Sequence, residues 1–349
     1  MSVLPHHEVA LEIGGLGYFG WTEITVERAI DAMVGSFDLS LSTKDRTGAE
    51  DWPIEDGATC RVLLGGEVLI TGYIDAVTRF IDPERRGIRV RGRDKTMDLV
   101  DCSAINKPGS WTGQKLEAIA KALAAPFGVS IEVSGDTGAA FKKFALQQGE
   151  SAFAAIERMA RYRGLVAYSP GDGTVRIGSA DTGVRTGRIE EGVNVKSAEA
   201  TSDMSGRYSQ YVVKGQASGD NSRHGKTVSQ VKGEAADSEV TRYRPLLVIG
   251  EEQSDTASLV KRAKWEAAVR SGRGKPLSVT VPGWLTDEGK VWAPGARAAC
   301  KIPSCKVDGD LLVESVRTTR NGREGSMTEL RLVPPEAWTQ LPEPEESAS

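Results

Sequence analysis

Residues 59–79 read TCRVLLGGEVLITGYIDAVTR, and residues 299–319 read ACKIPSCKVDGDLLVESVRTT. Each stretch runs strand, turn, strand, and each carries an acid inside its second strand, Asp75 in one and Glu314 in the other. The likeness extends outward. Trp52 stands eight residues before Cys60, and Trp292 stands eight residues before Cys300. After each hairpin a glycine-marked turn (Gly87, Gly325) leads into a closing alternating strand, Ile88 to Arg93 or Thr328 to Val333. Two readings are open: a fortuitous match of two β-rich segments, or the same small barrel carried twice by one chain.

Composition frames that choice. At 349 residues the chain exceeds one ordinary core and suggests roughly two or three domains. With 39% hydrophobic residues, 26% charged residues and a net charge of −4, it reads as a globular protein rather than a disordered or fibrous one. Glycine is in excess, 39 of 349 residues or about 11% against the usual ~7%, and aromatics are few. Short strands with many turns follow from that balance. The near-neutral charge argues against a dedicated nucleic-acid binder, which carries a basic excess. The N-terminus has no basic segment followed by an apolar one, which argues against a secretory signal. No run approaches eighteen apolar residues, so no membrane insertion is expected. Four cysteines (Cys60, Cys102, Cys300, Cys305) are too sparse for a disulfide scaffold, and synthesis in a reducing cytosol is expected.

Along the chain, residues 1–105 read as a first β-barrel built from alternating runs around Leu11, Ile24, Leu39, Val62 and Val90. Residues 106–180 change character and read as an α+β insert. Leu116, Ile119, Ala120 and Leu123 repeat at helical spacing before Pro126. Ser151 caps a second helix that ends near Gly164, and a hairpin turns at Pro170 to Gly173. Residues 181–245 hold strands leading into the second barrel and an exposed polar loop around 218–226; residues 246–275 hold one more helix. Residues 276–336 read as the second barrel, and 337–349 as a disordered acidic tail. The fold class expected is α+β, mainly β: two similar small β-barrels with an inserted α+β domain.

The chemical motifs are weak. Gly15 to Gly20 fits G-x-G-x-x-G, but the residues after it alternate as a strand, whereas a dinucleotide site needs a helix there to meet the pyrophosphate. Gly225-Lys226-Thr227 resembles the end of a phosphate-binding loop, yet its first glycine is out of place, since position 220 is Asp220. Only three histidines are present, Cys300 and Cys305 lack a second ligand pair, and no carboxylate pair is spaced for acid–base work. No catalytic, cofactor-binding or metal residues are therefore assigned, and the chain is not expected to be an enzyme. One charge cluster stands out. Arg89, Arg91 and Arg93 alternate with Ile88 and Val90, which puts three guanidinium groups on one strand face. A solvated face balanced by Glu84 and Asp94 is the plain account; a subunit interface is the functional one, and a phosphate-contacting stripe the third.

Longer stretches carry a family likeness. GSFDLSLS (residues 35–42), GYIDAV (72–77) and RVRGRDKTMDLVDCSA (89–104) are followed by ERMARYRG (157–164), RYSQYVVKGQ (207–216), RYRPLLVIGEE (242–252) and RAKWEAAVRSGR (262–273). With VPGWL near residue 281 and LLVESV (311–316), the series resembles, in colinear order, the baseplate hub proteins of Mu-like contractile-tailed bacteriophages, within the wider late-control tail-protein family. The acidic tail lies outside it. The resemblance implies a homotrimer in which each chain supplies two barrels to a pseudo-sixfold ring. It implies a structural hub that adapts a hexameric tail tube protein to a trimeric central spike protein, beside other baseplate proteins, around a channel for transient passage of DNA. Residence in the virion tail baseplate and assembly in the host cytoplasm follow from the same likeness. A tail-associated cell-wall hydrolase and a nucleotide-binding module are the alternatives from other classes.

Overall fold

The computed structural model describes residues 8–43, 52–141, 143–216, 231–253 and 256–339. The expected polar loop, the Gly225-Lys226-Thr227 segment and most of the acidic tail lie outside the described residues.

The first β unit comprises β1 (Val9–Ile13), β2 (Leu16–Tyr18), β3 (Glu23–Ala29), β4 (Ser36–Thr43), β5 (Thr59–Leu64), β6 (Glu67–Ile81) and β7 (Arg86–Asp94). The alternating side chains of these strands bury Leu11, Ile24, Val26, Leu39, Val62, Ile74, Ile88 and Val90 together. Next come α1 (Met97–Asp101), β8 (Ser110–Trp111), α2 (Leu116–Ala124), β9 (Ser130–Val133), β10 (Phe144–Ala145), α3 (Ala152–Tyr162), β11 (Val166–Tyr168) and β12 (Thr174–Gly178). The apolar faces of α2 and α3 pack with a small sheet of β11, β12 and β9. The Ser151 side chain caps α3 by accepting from the Ala154 N–H at 3.2 Å.

The second β unit comprises β13 (Arg185–Glu190), β14 (Ser197–Ala200), β18 (Leu277–Pro282), β19 (Arg297–Ile302), β20 (Val307–Asn321) and β21 (Gly325–Val333). Between β14 and β18 the chain builds a separate layer. There β15 (Gln210–Gln216), β16 (Val231–Ala236) and β17 (Pro245–Gln253) form a three-stranded sheet under α4 (Thr256–Arg273). Gly233 of β16 lies so close to α4 that a Cβ there would overlap the Leu259 and Val260 backbone. The equivalent connection in the first unit, between β3 and β4, is only residues 30–35.

The two units repeat one another in register. Phe37 opposes Gly92 as Leu277 opposes Leu332, and Leu39 opposes Val90 as Val279 opposes Leu330. Phe37 and Leu277 are 240 positions apart, as are Val90 and Leu330. Both long strands bulge at the acid noted in the sequence: β6 skips Asp75 against β7, and β20 skips Glu314 against β21. The cysteines do not align. Thr59 faces Tyr73 and Arg297 faces Leu312, so the strand register places Cys60 level with Ala298 rather than Cys300. The cause is the turn: Gly65-Gly66 closes the first hairpin tightly, whereas the second closes through a 3-10 turn over Pro303–Cys305.

The mainly-β class expected holds, but the two small β-barrels are not closed. Both units belong to one sheet of thirteen strands, ordered β14-β18-β21-β20-β3-β4-β7-β6-β5-β1-β2, with β19 and β13 branching from β20. The lower half of β20 keeps β21 on one edge and pairs with β3 of the first unit on the other, from Ser315 opposite Ala29 to Arg320 opposite Ile24. At fifteen residues β20 is long enough to serve β19 with one half and β3 with the other. Residues 337–339, expected to belong to the disordered tail, pack against α4. Ala337 is buried beside Gly272 of α4, and the Thr339 carbonyl accepts from the Trp265 indole N–H at 2.8 Å.

Candidate functional site

Strand β7 holds Arg89, Arg91 and Arg93 on one face while Ile88, Val90, Gly92 and Asp94 turn inward and are buried. The balancing acids differ from those read in the sequence. Asp94 lies on the opposite, buried face, where burial raises its pKa and the N–H groups of Gly35 (2.6 Å) and Thr96 (2.8 Å) donate to it. Arg89 instead donates to Asp38 of β4 from two of its guanidinium nitrogens, Nε at 2.8 Å and Nη2. Arg93 binds Asp75 at the β6 bulge (2.8 Å) and Asp101 at the end of α1 (2.9 Å). Arg91 is exposed and has no ion-pair partner among the described residues.

The arginine face continues across the unit boundary. Next to Asp38, Thr25 and Glu27 project from β3, and Arg317 of β20 binds Glu27 at 2.8 Å and Glu329 of β21 at 3.1 Å. These residues line a groove of two adjoining hollows that share Glu27, Ser36 and Arg317, one reaching Arg89 and the other Arg331, the latter paired with the buried acid Glu314. Arg317 and its two acids were not singled out from the sequence. The signal was present in part, since Ser315, Arg317 and Thr319 alternate with the β-branched Val316 and Thr318 on β20. What the sequence does not disclose is that β3 lies against that strand.

A second arginine works inside the junction. Arg28 of β3 is buried, and its guanidinium donates to the Trp292 carbonyl at 2.6 Å. Burial pushes its pKa down to about 10. The turn at Gly171 of the α+β insert closes over it: the Gly171 carbonyl accepts from the Thr71 N–H at 2.7 Å, and a Cβ on Gly171 would stand 3.0 Å from the Arg28 Cδ. Gly171 has φ +104, which a side chain rarely adopts, so glycine is required there twice over. Arg28 thus joins both β units and the insert.

The other candidates resolve structurally. Gly14 and Gly15, with φ of 57 and 83, form the β1–β2 turn, and β3 follows rather than a helix. Cys60 and Cys300 are buried among apolar side chains, and burial pushes each thiol up to about 12. Among the described residues no three His, Cys, Asp or Glu side chains are grouped to hold a metal.

Four family models match in chain order. They are a Mu phage baseplate assembly protein N-terminal domain (residues 8–94), the second domain of baseplate hub protein gp44-like chains (96–179), a tail protein third domain (207–265) and a Mu phage baseplate assembly protein fourth domain (255–342). All four describe parts of tail or baseplate proteins, the class to which this repeated sheet and its two additions correspond. The chain is 31% identical over 338 residues to the baseplate hub protein gp44 of Escherichia phage Mu, covering 95% of this chain and 88% of that one. It therefore belongs to the Mu baseplate hub protein family, and its role is that of a structural baseplate hub. Among solved structures, a prophage MuSo2 tail protein from Shewanella oneidensis matches with a TM-score of 0.83 at 31% identity, covering 96% of this chain and 100% of that chain. A tail protein from Neisseria meningitidis MC58 matches with a TM-score of 0.76 at 25% identity, covering 95% and 97%.

Proposed function

We propose that three copies of this chain close into a ring whose outline is near sixfold, and that the ring joins a hexameric tail tube to a trimeric spike around a channel that DNA crosses. One observation carries the reading: the chain holds two β units in the same register, joined edge to edge through β3 and β20 in a single sheet. A threefold assembly of such chains offers six equivalent sheet units, which is what a sixfold partner requires. The role is structural rather than catalytic, in the virion tail baseplate, with assembly in the host cytoplasm and other baseplate proteins as neighbours. The groove lined by alternating acids and arginines suits a surface that DNA passes without being held, because Arg89, Arg93 and Arg317 are already engaged by carboxylates. Within the stripe of Arg89, Arg91 and Arg93, Arg91 is the member left to contact a neighbouring subunit.

Light scattering tests this directly. The expected mass is three times the 37.4 kDa chain, and end-on images are expected to show a near-sixfold ring with a central hole. A monomer at every concentration would reject the ring. Release of fragments from purified peptidoglycan would reject the non-catalytic reading.

A further inference from the structure

Among the described residues the repeat leaves two sheet edges without a strand partner, and they are the counterparts of the two edges that meet inside the chain. By register, β14 corresponds to β3: Ala198 opposes Val279 as Ile24 opposes Leu39. The distal half of β6 likewise corresponds to the lower half of β20, since both follow the bulged acid and oppose the closing strand. Inside the chain β3 pairs with the lower half of β20. Among the described residues, β14 pairs only with β18, and β6 beyond Asp75 pairs only with β7.

Burial marks the same vacancy. Val316 and Thr318 on β20 are 1% and 2% exposed, whereas their counterparts Val77 and Arg79 on β6 are half-buried and exposed. Ile81, at the end of that edge, is 73% exposed. Val26 on β3 is buried, whereas its counterpart Ala200 on β14 is exposed. Unpaired strand edges are templates for another strand, and a chain that carries both halves of a known pairing can satisfy each with a copy of itself.

We infer that β14 of one copy adds to the distal half of β6 of the next, in the antiparallel register of the β3–β20 pair. That register sets Ile81 opposite Ala198, Phe80 opposite Glu199, Arg79 opposite Ala200 and Thr78 opposite Thr201. The inference rests on the ring proposed above and names the contact that closes it. Directly opposed residues of an antiparallel pair have Cβ atoms about 4.5–5.5 Å apart, close enough for a disulfide after small adjustment.

The test is a pair of cysteines in the full chain, Thr78→Cys with Thr201→Cys, with exposed Cys102 replaced by serine. Both threonines are exposed, so the substitutions leave the cores intact. Mild oxidation of the purified assembly is expected to give a covalent ladder ending at three chains. Each single cysteine, and the offset pair Thr78→Cys with Ser197→Cys, is expected to give none. Hydrogen exchange on the unmodified assembly is the second measurement. Residues 76–81 and 197–201 are expected to exchange as slowly as 315–320, about tenfold or more below exposed loops. A particle of three chains that yields no ladder, or whose two edges exchange like loops, overturns the edge pairing and leaves the ring standing. An offset pair that cross-links equally well overturns the register. A monomeric chain overturns the ring and the edge pairing together.

Discussion

Phe37 lies across Gly92 in the first β unit, and at the same register the second unit sets Leu277 beside Leu332. One unit fills the space with an aromatic ring over a glycine, the other with two leucines. A Cβ on Gly92 would stand 2.5 Å from the Phe37 ring and would overlap the Tyr73 carbonyl oxygen. The backbone plan is therefore shared, while the side chains that complete it are specific to each copy. Packing density is satisfied pair by pair, so residues cannot be exchanged singly between units.

The sharpest way to break this comparison is Gly92→Leu. It is expected to cost about 3–5 kcal/mol and to lower the melting temperature by about 10 °C. Adding Phe37→Leu is expected to return only part of that loss, because the ring is relieved and the Tyr73 carbonyl is not. Full additivity of the two changes in a double-mutant cycle would show that ring and glycine do not share the space.

Arg28→Ala comes next, at about 2–4 kcal/mol by thermal or denaturant melting, because it opens a cavity and leaves the buried Trp292 carbonyl without its donor. Its counterpart position holds Ser202, since Arg28 opposes Val316 in the junction whose matching edges are unpaired. Ser202→Ala is expected to move stability by less than about 0.5 kcal/mol.

Asp181 and Arg297 belong to the second unit alone. The Arg297 guanidinium beside Asp181, at 3.0 Å, holds that carboxyl below the usual carboxylate range. A depressed native pKa means that the unfolded chain takes up the proton first on acidification. The stabilisation is thus complete above about pH 4 and lost as pH falls through the native pKa. Asp181→Asn is expected to melt below the parent at pH 7, with the gap closing in acid. A gap that persists unchanged to pH 2 would assign the loss to something other than this ion pair.

The smallest effects belong to the exposed ion pairs of the groove. Arg317→Ala cuts two pairs and is expected to cost about 1 kcal/mol or less; Arg89→Ala cuts one, at about 0.5 kcal/mol or less. Both losses are expected to shrink when salt is raised.

Much of this comparison was legible in the sequence where the signal is local. The alternation of Ile88 and Val90 with the arginines, the Ser151 cap, the helical spacing from Leu116 and the acids at Asp75 and Glu314 all appear where periodicity places them. Non-local pairing was not legible. Nothing in residues 315–320 announces that they hold β3 of the other unit on their second edge, because a strand edge carries the same alternation whichever neighbour it finds. The cysteine match misled by two positions for a related reason: the lengths of the two turns, not the residues on the strands, set how far each hairpin slides. Arg28 escaped notice because a single arginine in an alternating strand looks like any solvated one until three segments close around it.

One loop separates the two copies of the plan more than any side chain does. The link from β3 to β4 is short, whereas the link from β14 to β18 has taken in a whole sheet and α4. The repeat therefore holds in the ladder of its four central strands and is broken in what hangs from them. In the proposed ring the same polypeptide would count to six along its strands and to three along its appendages. Two partners of different symmetry could then each read the number they need from one assembled part.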